Sequence, residues 1–242
     1  MTVSTRVAVI CLLCTAALVA GTVYISGTPA VMQVYNDSAQ PVIVIDPGHG
    51  GIDGGAVGVN GVVEKDINLS LCLDLADMFR FAGYKVVMTR EDDRSIHDEG
   101  IQGIKNQKTS DIHNRLNIMN KTTNAVVLSI HQNQFSQSKY NGGQVFYGTK
   151  NAQSSLLAQT IQTNLKAMLQ PQNNREIKQA YETLYLMKHA ITPAVLVECG
   201  FLSNPEEAEL LSQPAYQRKL AFVIFTSTLQ FIQEELSYGH EV

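Results

Sequence analysis

The sequence predicts a single α/β domain built on a mostly parallel central sheet of about six strands, flanked by helices. Short runs of β-branched and aliphatic residues lack a polar face, as strands buried on both sides do. Longer amphipathic segments separate several of these runs, and this alternation is typical of parallel βαβ units. The chain has 242 residues, of which 45% are hydrophobic and 17% charged, which suits one sizeable globular domain.

An apolar stretch precedes this domain. Residues 7–25 follow Arg6 and carry no charge. The stretch is also long enough to cross a bilayer as a helix. We interpret residues 1–25 as a signal or transmembrane anchor, favouring an uncleaved anchor, residues 26–40 as a linker, and residues 41–237 as the folded domain. The positive charge before the stretch predicts that the domain is exported and meets the membrane through this segment alone.

Composition excludes some classes of protein. A formal net charge of −4 argues against a nucleic-acid binder, which needs a basic surface. Beyond the apolar stretch the sequence has two cysteines, Cys72 and Cys199. We expect both to be small apolar core residues rather than a disulfide.

The first predicted strand, residues 42–45, runs directly into the turn Asp46-Pro47-Gly48-His49-Gly50. Asp-Pro-Gly stops a strand abruptly, and ligands of open α/β sheets bind at the carboxyl ends of strands. We therefore expect His49 at the functional edge of the sheet, with the glycines on either side leaving room for a bound group.

The next elements form a predicted βαβ unit followed by a loop and a helix. A helix is expected over about 64–82, where apolar residues recur every three or four positions before Gly83. A strand is expected over 85–89. Residues 90–108 are charged and irregular, so we expect a surface loop there, with a helix over 109–121.

The second half continues the alternation. The predicted strands cover residues 125–131, 144–147, 184–187 and 194–198, and the predicted helices cover 151–169, 205–211 and 214–236. A proline at the first position of each of the last two helices suits a helix start. The stretch 170–182 is expected to be a polar loop.

Four side chains with catalytic chemistry fall at one edge of this sheet. Two apolar strands end in histidine, at His49 and His131; a third ends in Glu198; and the first helix begins with Glu64. Two histidines and one carboxylate are a ligand set of catalytic zinc, and a further carboxylate can act as the general base. We assign Glu64 as the ligand, since it starts the helix adjoining His49, and Glu198 as the base. The reverse assignment of the two carboxylates stays open.

Plainer explanations exist for these residues. The helix dipole alone favours Glu64 in a first turn, and His131 can be a hydrogen-bonded structural histidine. Glu198 is harder to dismiss, since a carboxylate that ends an apolar strand is costly to bury without a partner. His189 is expected to approach the site. The remaining histidines of the domain and tail are expected to be structural or solvent-facing (His97, His113 and His240).

Four segments carry a resemblance to a known family. Residues 44–51 (VIDPGHGG), Glu64 with Asn68, residues 129–133 (SIHQN) and residues 193–204 (PAVLVECGFLSN) resemble the signature segments of zinc-dependent N-acetylmuramoyl-L-alanine amidases, the amidase type 3 family. The likeness spans roughly the whole predicted domain, which it implies is a zinc amidase catalytic domain. The family hydrolyses the amide between N-acetylmuramic acid and L-alanine in peptidoglycan.

The resemblance implies roles for individual residues. His49, Glu64 and His131 become the Zn²⁺ ligands and Glu198 the catalytic carboxylate. Arg115 and Asn133 become weaker candidates for substrate contacts, with a structural role open for Arg115. Two features depart from many relatives: Cys199 stands where they carry threonine, and no wall-binding repeats accompany the domain.

A catalytic domain on an amino-terminal anchor is similar to the CwlD-type amidases of spore formers. These act in forming the muramic-lactam of the spore cortex, which germination requires. The expected partners are peptidoglycan and a protein that activates or localises the domain. Two alternatives stay open: a zinc peptidase that acts within the stem peptide, and a non-catalytic module that binds peptidoglycan or regulates its turnover.

Overall fold

A computed structural model describes residues 40–236 of the chain. The predicted anchor, residues 1–25, and nearly all of the predicted linker lie outside the described residues. Within residues 40–236, no helix combines the length and the apolar character that crossing a bilayer requires.

Within residues 40–236, six strands form one sheet in the order β2-β1-β3-β6-β4-β5. Only β4 runs antiparallel to its neighbour β6, and the other pairings are parallel, so the predicted mostly parallel sheet is confirmed. The strands are β1 (Val42–Pro47), β2 (Val86–Met88), β3 (Ala125–Asn133), β4 (Gln144–Tyr147), β5 (Lys178–Gln179) and β6 (Ala194–Phe201).

Helices cover both faces of the sheet, as strands without a polar face require. The α-helices are α1 (Glu64–Phe81), α2 (Ile104–Lys121), α3 (Gln153–Met168), α4 (Tyr185–His189), α5 (Pro205–Ser212) and α6 (Pro214–Phe231), and a π-helical turn (Ile232–Leu236) follows α6. Helices α1, α3 and α6 pack on one face over a core that includes Leu71, Leu128 and Val197. Helices α2 and α4 cover the other face around Val127 and Leu196.

Strand register brings the ends of three strands side by side. His131 of β3 is paired with Glu198 of β6, and Glu198 is paired in turn with Gln144 of β4. Alternate residues of a strand share one face, so His131 and Glu198 lie on the face of the sheet that α2 and α4 cover. This row defines the carboxyl edge at which the site forms.

One predicted strand was wrong. Residues 184–187 were expected to be a strand but begin helix α4, in which the backbone N–H of Lys188 donates to the carbonyl of Leu184. A four-residue apolar run does not distinguish a strand from a buried helical turn. The sixth strand is instead β5, two exposed polar residues within the stretch expected to be a loop.

The loop predicted over residues 90–108 is shorter than expected, and its first residue is buried. Helix α2 begins at Ile104, just after Gly103, which has a φ of 84°. Its first turns carry exposed polar residues, so no apolar stripe marked them in the sequence. Arg90, expected on a surface loop, is only 1% exposed.

The other element predictions hold within a few residues. Asn204 caps α5 by accepting hydrogen bonds from the backbone N–H groups of Glu206 and Glu207, directly before the predicted Pro205 start. Cys72 and Cys199 are buried free thiols, as predicted.

Candidate metal centre

His49 lies on the turn after β1 in a left-handed backbone conformation, with a φ of 62°. Its Nδ1 lies 2.9 Å from Asp53 Oδ2, and its Nε2 lies 3.2 Å from Glu64 Oε2. A side chain that is not glycine seldom adopts this conformation, so the surrounding contacts must hold it there. The imidazole is thus fixed between two carboxylates, one from the same loop and one from α1.

Glu64 opens α1 and turns its carboxylate into the interior, where the residue is 3% exposed. Oε1 lies 3.0 Å from His131 Nδ1 and accepts a hydrogen bond from the backbone N–H of Gln132. Oε2 accepts one from the backbone N–H of Ala56 at 2.8 Å. Burial raises the pKa of Glu64, but His131 and His49 outweigh burial and hold it well below its usual range. The carboxylate is therefore ionised at neutral pH.

His131 ends the apolar run of β3 and packs its ring against Gly48. A side-chain carbon on Gly48 would collide with that ring, so only glycine fits there. The expectation that glycines leave room for a bound group is therefore corrected at Gly48, where the space belongs to His131. The His49 and His131 rings meet edge to face with their centroids 5.0 Å apart.

One ligand atom from each of His49, Glu64 and His131 falls within 4.8 Å of the other two. The three residues come from a loop, a helix start and a strand end, as the sequence predicted. Two imidazoles and one carboxylate suit zinc and leave a position for water or substrate. The donor set therefore fits a catalytic metal ion.

Electrostatics keep this cluster charged when no metal is bound. Burial lowers the pKa of His49, but its hydrogen bonds to Asp53 and Glu64 raise it to about 9. The free site therefore holds a proton on His49 at neutral pH, and a metal ion must displace it.

Glu198 lies beside the cluster, one strand away from His131. In the part of the chain that the structure describes, its Oε2 is buried and has no hydrogen-bond partner. Burial raises the pKa of Glu198 to about 7, although His131 acts in the opposite direction. A carboxyl with this pKa can both take and return a proton near neutral pH, as a general base and acid must.

Arg115 is buried and supports the loop that carries His49. It is 3% exposed, and its guanidinium donates to Asp46 Oδ1 at 2.7 Å and to the backbone carbonyls of Pro47 and His49. These contacts favour the structural role over the predicted substrate contact. Asn133, the other predicted substrate residue, lines the cavity beside Glu198.

Sequence reasoning missed three residues that hold the site. Asp53 orients His49; its place four residues after the histidine in a glycine-rich loop was a usable signal. Asp46 accepts hydrogen bonds from Thr89 and Ser129 beneath the same loop. Arg90 donates to the carbonyls of Pro47, Gly48 and Lys65, and nothing in its charged sequence surroundings marked it as buried.

Contrary to the prediction, His189 does not approach the site. It ends α4 and stacks on Tyr185, and its backbone carbonyl accepts a hydrogen bond from the side chain of Asn120, the penultimate residue of α2. Strand β6 starts only at Ala194, so His189 lies at the opposite edge of the sheet from Glu198.

A cavity of about 370 Å³ opens beside Glu198. Aromatic side chains and two cations form much of its wall. The lining residues include Phe135, Tyr140, Gln144, Phe146, Arg175, Lys178, Tyr181 and Phe201. The structure therefore places a cluster that can hold a metal ion close to a cavity with room for a ligand.

A cluster of two histidines and one carboxylate at the edge of an α/β sheet, with a further buried carboxyl beside it, is the arrangement of a metal-dependent hydrolase. Residues 43–228 match the N-acetylmuramoyl-L-alanine amidase family, Amidase_3. The chain belongs to this family.

Curated relatives agree with this membership. The chain is similar to the germination-specific N-acetylmuramoyl-L-alanine amidase of Bacillus subtilis, with 38% identity over 83% of this chain and 86% of the relative. It is also similar to the amidase LytC of the same organism, with 33% identity over 86% of this chain but only 40% of the relative.

Solved structures give the same result. The CwlD amidase of Clostridioides difficile, determined in complex with the GerS lipoprotein, aligns with a TM-score of 0.77 and 38% identity over 80% of this chain and 99% of that one. The amidase AmiC2 of Nostoc punctiforme aligns with a TM-score of 0.68 and 27% identity over 80% and 98% of the two chains.

Proposed function

We propose that the protein is a zinc-dependent amidase that hydrolyses the bond between N-acetylmuramic acid and L-alanine in peptidoglycan. The observation that carries this proposal is the convergence of His49, Glu64 and His131 within 4.8 Å, beside Glu198. Membership of the amidase family supplies the substrate.

In the proposed mechanism, His49, Glu64 and His131 would hold zinc, which would supply Lewis acidity to a water molecule and to the scissile carbonyl. Glu198 accepts a proton from the attacking water and returns it to the alanine nitrogen as the amide bond breaks. Its unpartnered Oε2 and raised pKa suit both transfers. Asp53 keeps Nε2 of His49 directed at the site by holding Nδ1.

The relatives support a biological setting for this activity. The Bacillus subtilis relative is a germination-specific amidase, which supports a role in maturation of the spore cortex, by muramic-lactam formation, for germination. Action on cell wall requires export from the cytoplasm, in agreement with the anchor predicted over residues 1–25. That anchor remains a prediction.

A protein partner is part of the proposal. Among residues 40–236, three side chains are available to hold the metal, so we expect a partner that strengthens the site or localises the domain. The complex of the Clostridioides difficile relative with a lipoprotein supports this expectation.

The activity is tested with the fragment that begins at Ser26, incubated with purified peptidoglycan with and without added zinc. We expect zinc-dependent release of intact stem peptides with a free L-alanine amine, identified by mass spectrometry. Release of shorter peptides would instead indicate a peptidase. Zinc binding without any release, also in the presence of cell extract, would favour the non-catalytic module.

Metal binding is expected to release close to one proton per site at pH 7. The reason is the pKa of His49, about 9, which leaves the free imidazole protonated, whereas Glu64 stays ionised throughout. Zinc affinity should therefore fall by roughly tenfold for each unit of decreasing pH between pH 8 and pH 6. Isothermal titration calorimetry in buffers of different ionisation enthalpy measures the released protons.

The matched control for this titration is Asp53→Asn. The change keeps the shape of the side chain but removes the negative charge that raises the pKa of His49. We expect fewer protons released at pH 8 than in the original protein. Equal proton release by both proteins would show that Asp53 does not govern His49.

A further inference from the structure

The cavity beside Glu198 carries positive charge that the proposed mechanism does not use. Arg175 and Lys178 both line it, on the side of the sheet formed by β4 and β5. The chain as a whole has a formal net charge of −4, so an excess of basic residues in the sequence does not explain two cations in this wall. Their placement calls for a negatively charged occupant.

Arg175 is held rigidly in this wall. Its guanidinium stacks on Phe201, with 4.4 Å between the guanidinium carbon and the ring centroid, and Nη1 lies 3.3 Å from Gln144 Oε1. Gln144 is the strand neighbour of Glu198. Arg175 is therefore separated from the catalytic carboxyl by one side chain, and its stacked geometry costs little further ordering when an anion binds.

Lys178 is exposed on the two-residue strand β5, opposite Phe146 of β4. The acidic residues on either side of β5 are occupied elsewhere, because Glu176 pairs with Lys166 at 2.7 Å and Glu182 with Lys188 at 2.8 Å. Glu207 interacts electrostatically with Arg175, but its carboxylate accepts hydrogen bonds from the backbone N–H groups of Gly142 and Phe201. Within residues 40–236, these neighbouring carboxylates therefore leave the ammonium group of Lys178 available to a ligand.

The chemistry of the reaction decides which part of the substrate lies here. Glu198 returns its proton to the leaving nitrogen, so the released peptide must begin at Glu198. Gln144, Arg175 and Lys178 line the same cavity as Glu198. Gln144 is the strand neighbour of Glu198 and contacts Arg175. Lys178 lies opposite Phe146, two residues beyond Gln144 along β4. Strand spacing puts the Cα of Lys178 roughly 12 Å from that of Glu198. An extended peptide covers such a distance in about three residues.

We propose that Arg175 and Lys178 form a carboxylate-binding subsite for the peptide that the reaction releases, reading acidic groups within its first three residues. This inference rests on the proposed function. Charge-assisted hydrogen bonds from a guanidinium and an ammonium give such a subsite a preference for a carboxylate over a neutral amide of the same shape.

The test uses the zinc-loaded protein and two soluble N-acetylmuramoyl tripeptides that differ only in whether their carboxyl groups are free or amidated. We expect kcat/KM to be about tenfold higher for the free carboxylates, chiefly through KM, and this preference to shrink as salt is added. In Lys178→Gln the preference should fall to about threefold, and in Lys178→Glu it should disappear or reverse.

Two further proteins keep the test decisive. Lys219→Gln makes the same chemical change on exposed α6, outside the cavity lining, and should keep the full preference. In Arg175→Gln the preference for the free carboxylates should be smaller than in Lys178→Gln. The unfolding curve of this variant shows whether its fold is intact. Equal use of both substrates by the original protein, or an unchanged preference in both Lys178 variants, would overturn the subsite. Hydrolysis of neither substrate by the original protein, also in the presence of cell extract, would refute the proposed function itself.

Discussion

Glu198→Gln is expected to lower the rate of amide hydrolysis by about 10²–10⁴-fold while zinc binding stays intact, because general acid–base catalysis contributes on that scale. The amide keeps the shape of the carboxyl but cannot accept the proton of water or return one to the leaving nitrogen. Turnover of a soluble N-acetylmuramoyl-L-alanyl peptide measures the loss, and metal content by mass spectrometry measures the site.

Unfolding of the metal-free proteins provides the control for this variant. Burial raises the pKa of Glu198 to about 7, above its ordinary value of 4.5, so the ionised carboxyl costs the folded state stability as pH rises through this range. At pH 8, the metal-free Glu198→Gln variant should therefore be at least as stable as the metal-free original protein. A variant with full zinc content and undiminished turnover would remove Glu198 from the mechanism.

Arg115→Leu is expected to lower the free energy of unfolding by about 3–5 kcal/mol, the cost of breaking a buried ion pair. The change leaves the carboxylate of Asp46, 0% exposed, without its countercharge. It also removes the donor to the carbonyl of His49, so zinc affinity should fall as well. Urea denaturation at constant pH gives the free energy.

The pH dependence of this loss distinguishes the ion pair from simple packing. Burial raises the pKa of Asp46, but Arg115, Ser129 and Thr89 lower it below its ordinary value of 3.8. In the original protein, ionised Asp46 therefore adds to the free energy of unfolding above that pH, and this contribution is lost in acid. In the variant, burial should dominate and raise the pKa of Asp46, so that its ionisation lowers the free energy of unfolding. The difference between the proteins should be greatest near neutral pH.

Arg80→Leu is the matched control, because Arg80 pairs with Glu91 on the surface with 43% of its side chain exposed. Exposed pairs contribute about 0–1 kcal/mol. The double variant Asp46→Asn, Arg115→Leu should recover part of the loss, since no unpaired charge remains. An Arg115→Leu loss no larger than that of Arg80→Leu would contradict the buried-pair account.

The sequence predicted the strands that carry the site because their signal is strong. Four or more aliphatic residues in a row, stopped by a polar residue, identified the ends of β1, β3 and β6, and therefore His49, His131 and Glu198. Parallel packing then required those ends to meet at one edge. The mistaken strand at residues 184–187 had the same aliphatic character but was too short to distinguish strand from helix.

What the sequence could not supply were the supports of the site, which depend on contacts between distant positions. Arg115 and Asp46 are 69 positions apart, and nothing local indicates that they pair. Arg90 stands in a run of charged residues, so its burial beneath the His49 loop has no sequence signal. Strand β5 forms from two polar residues because β4 offers it a free edge, a tertiary effect that overrides local pattern.

The two outermost strands, β2 and β5, have three and two residues, much shorter than β3 with nine. A long unpaired edge is a template on which a second molecule can add a strand, whereas short and charged edges offer few free backbone groups. Edge-to-edge self-association should therefore be suppressed, even though the middle of the sheet consists of strongly aliphatic segments. The same geometry offers a bound peptide little backbone on which to add as a strand, so recognition of a peptide should depend on side chains.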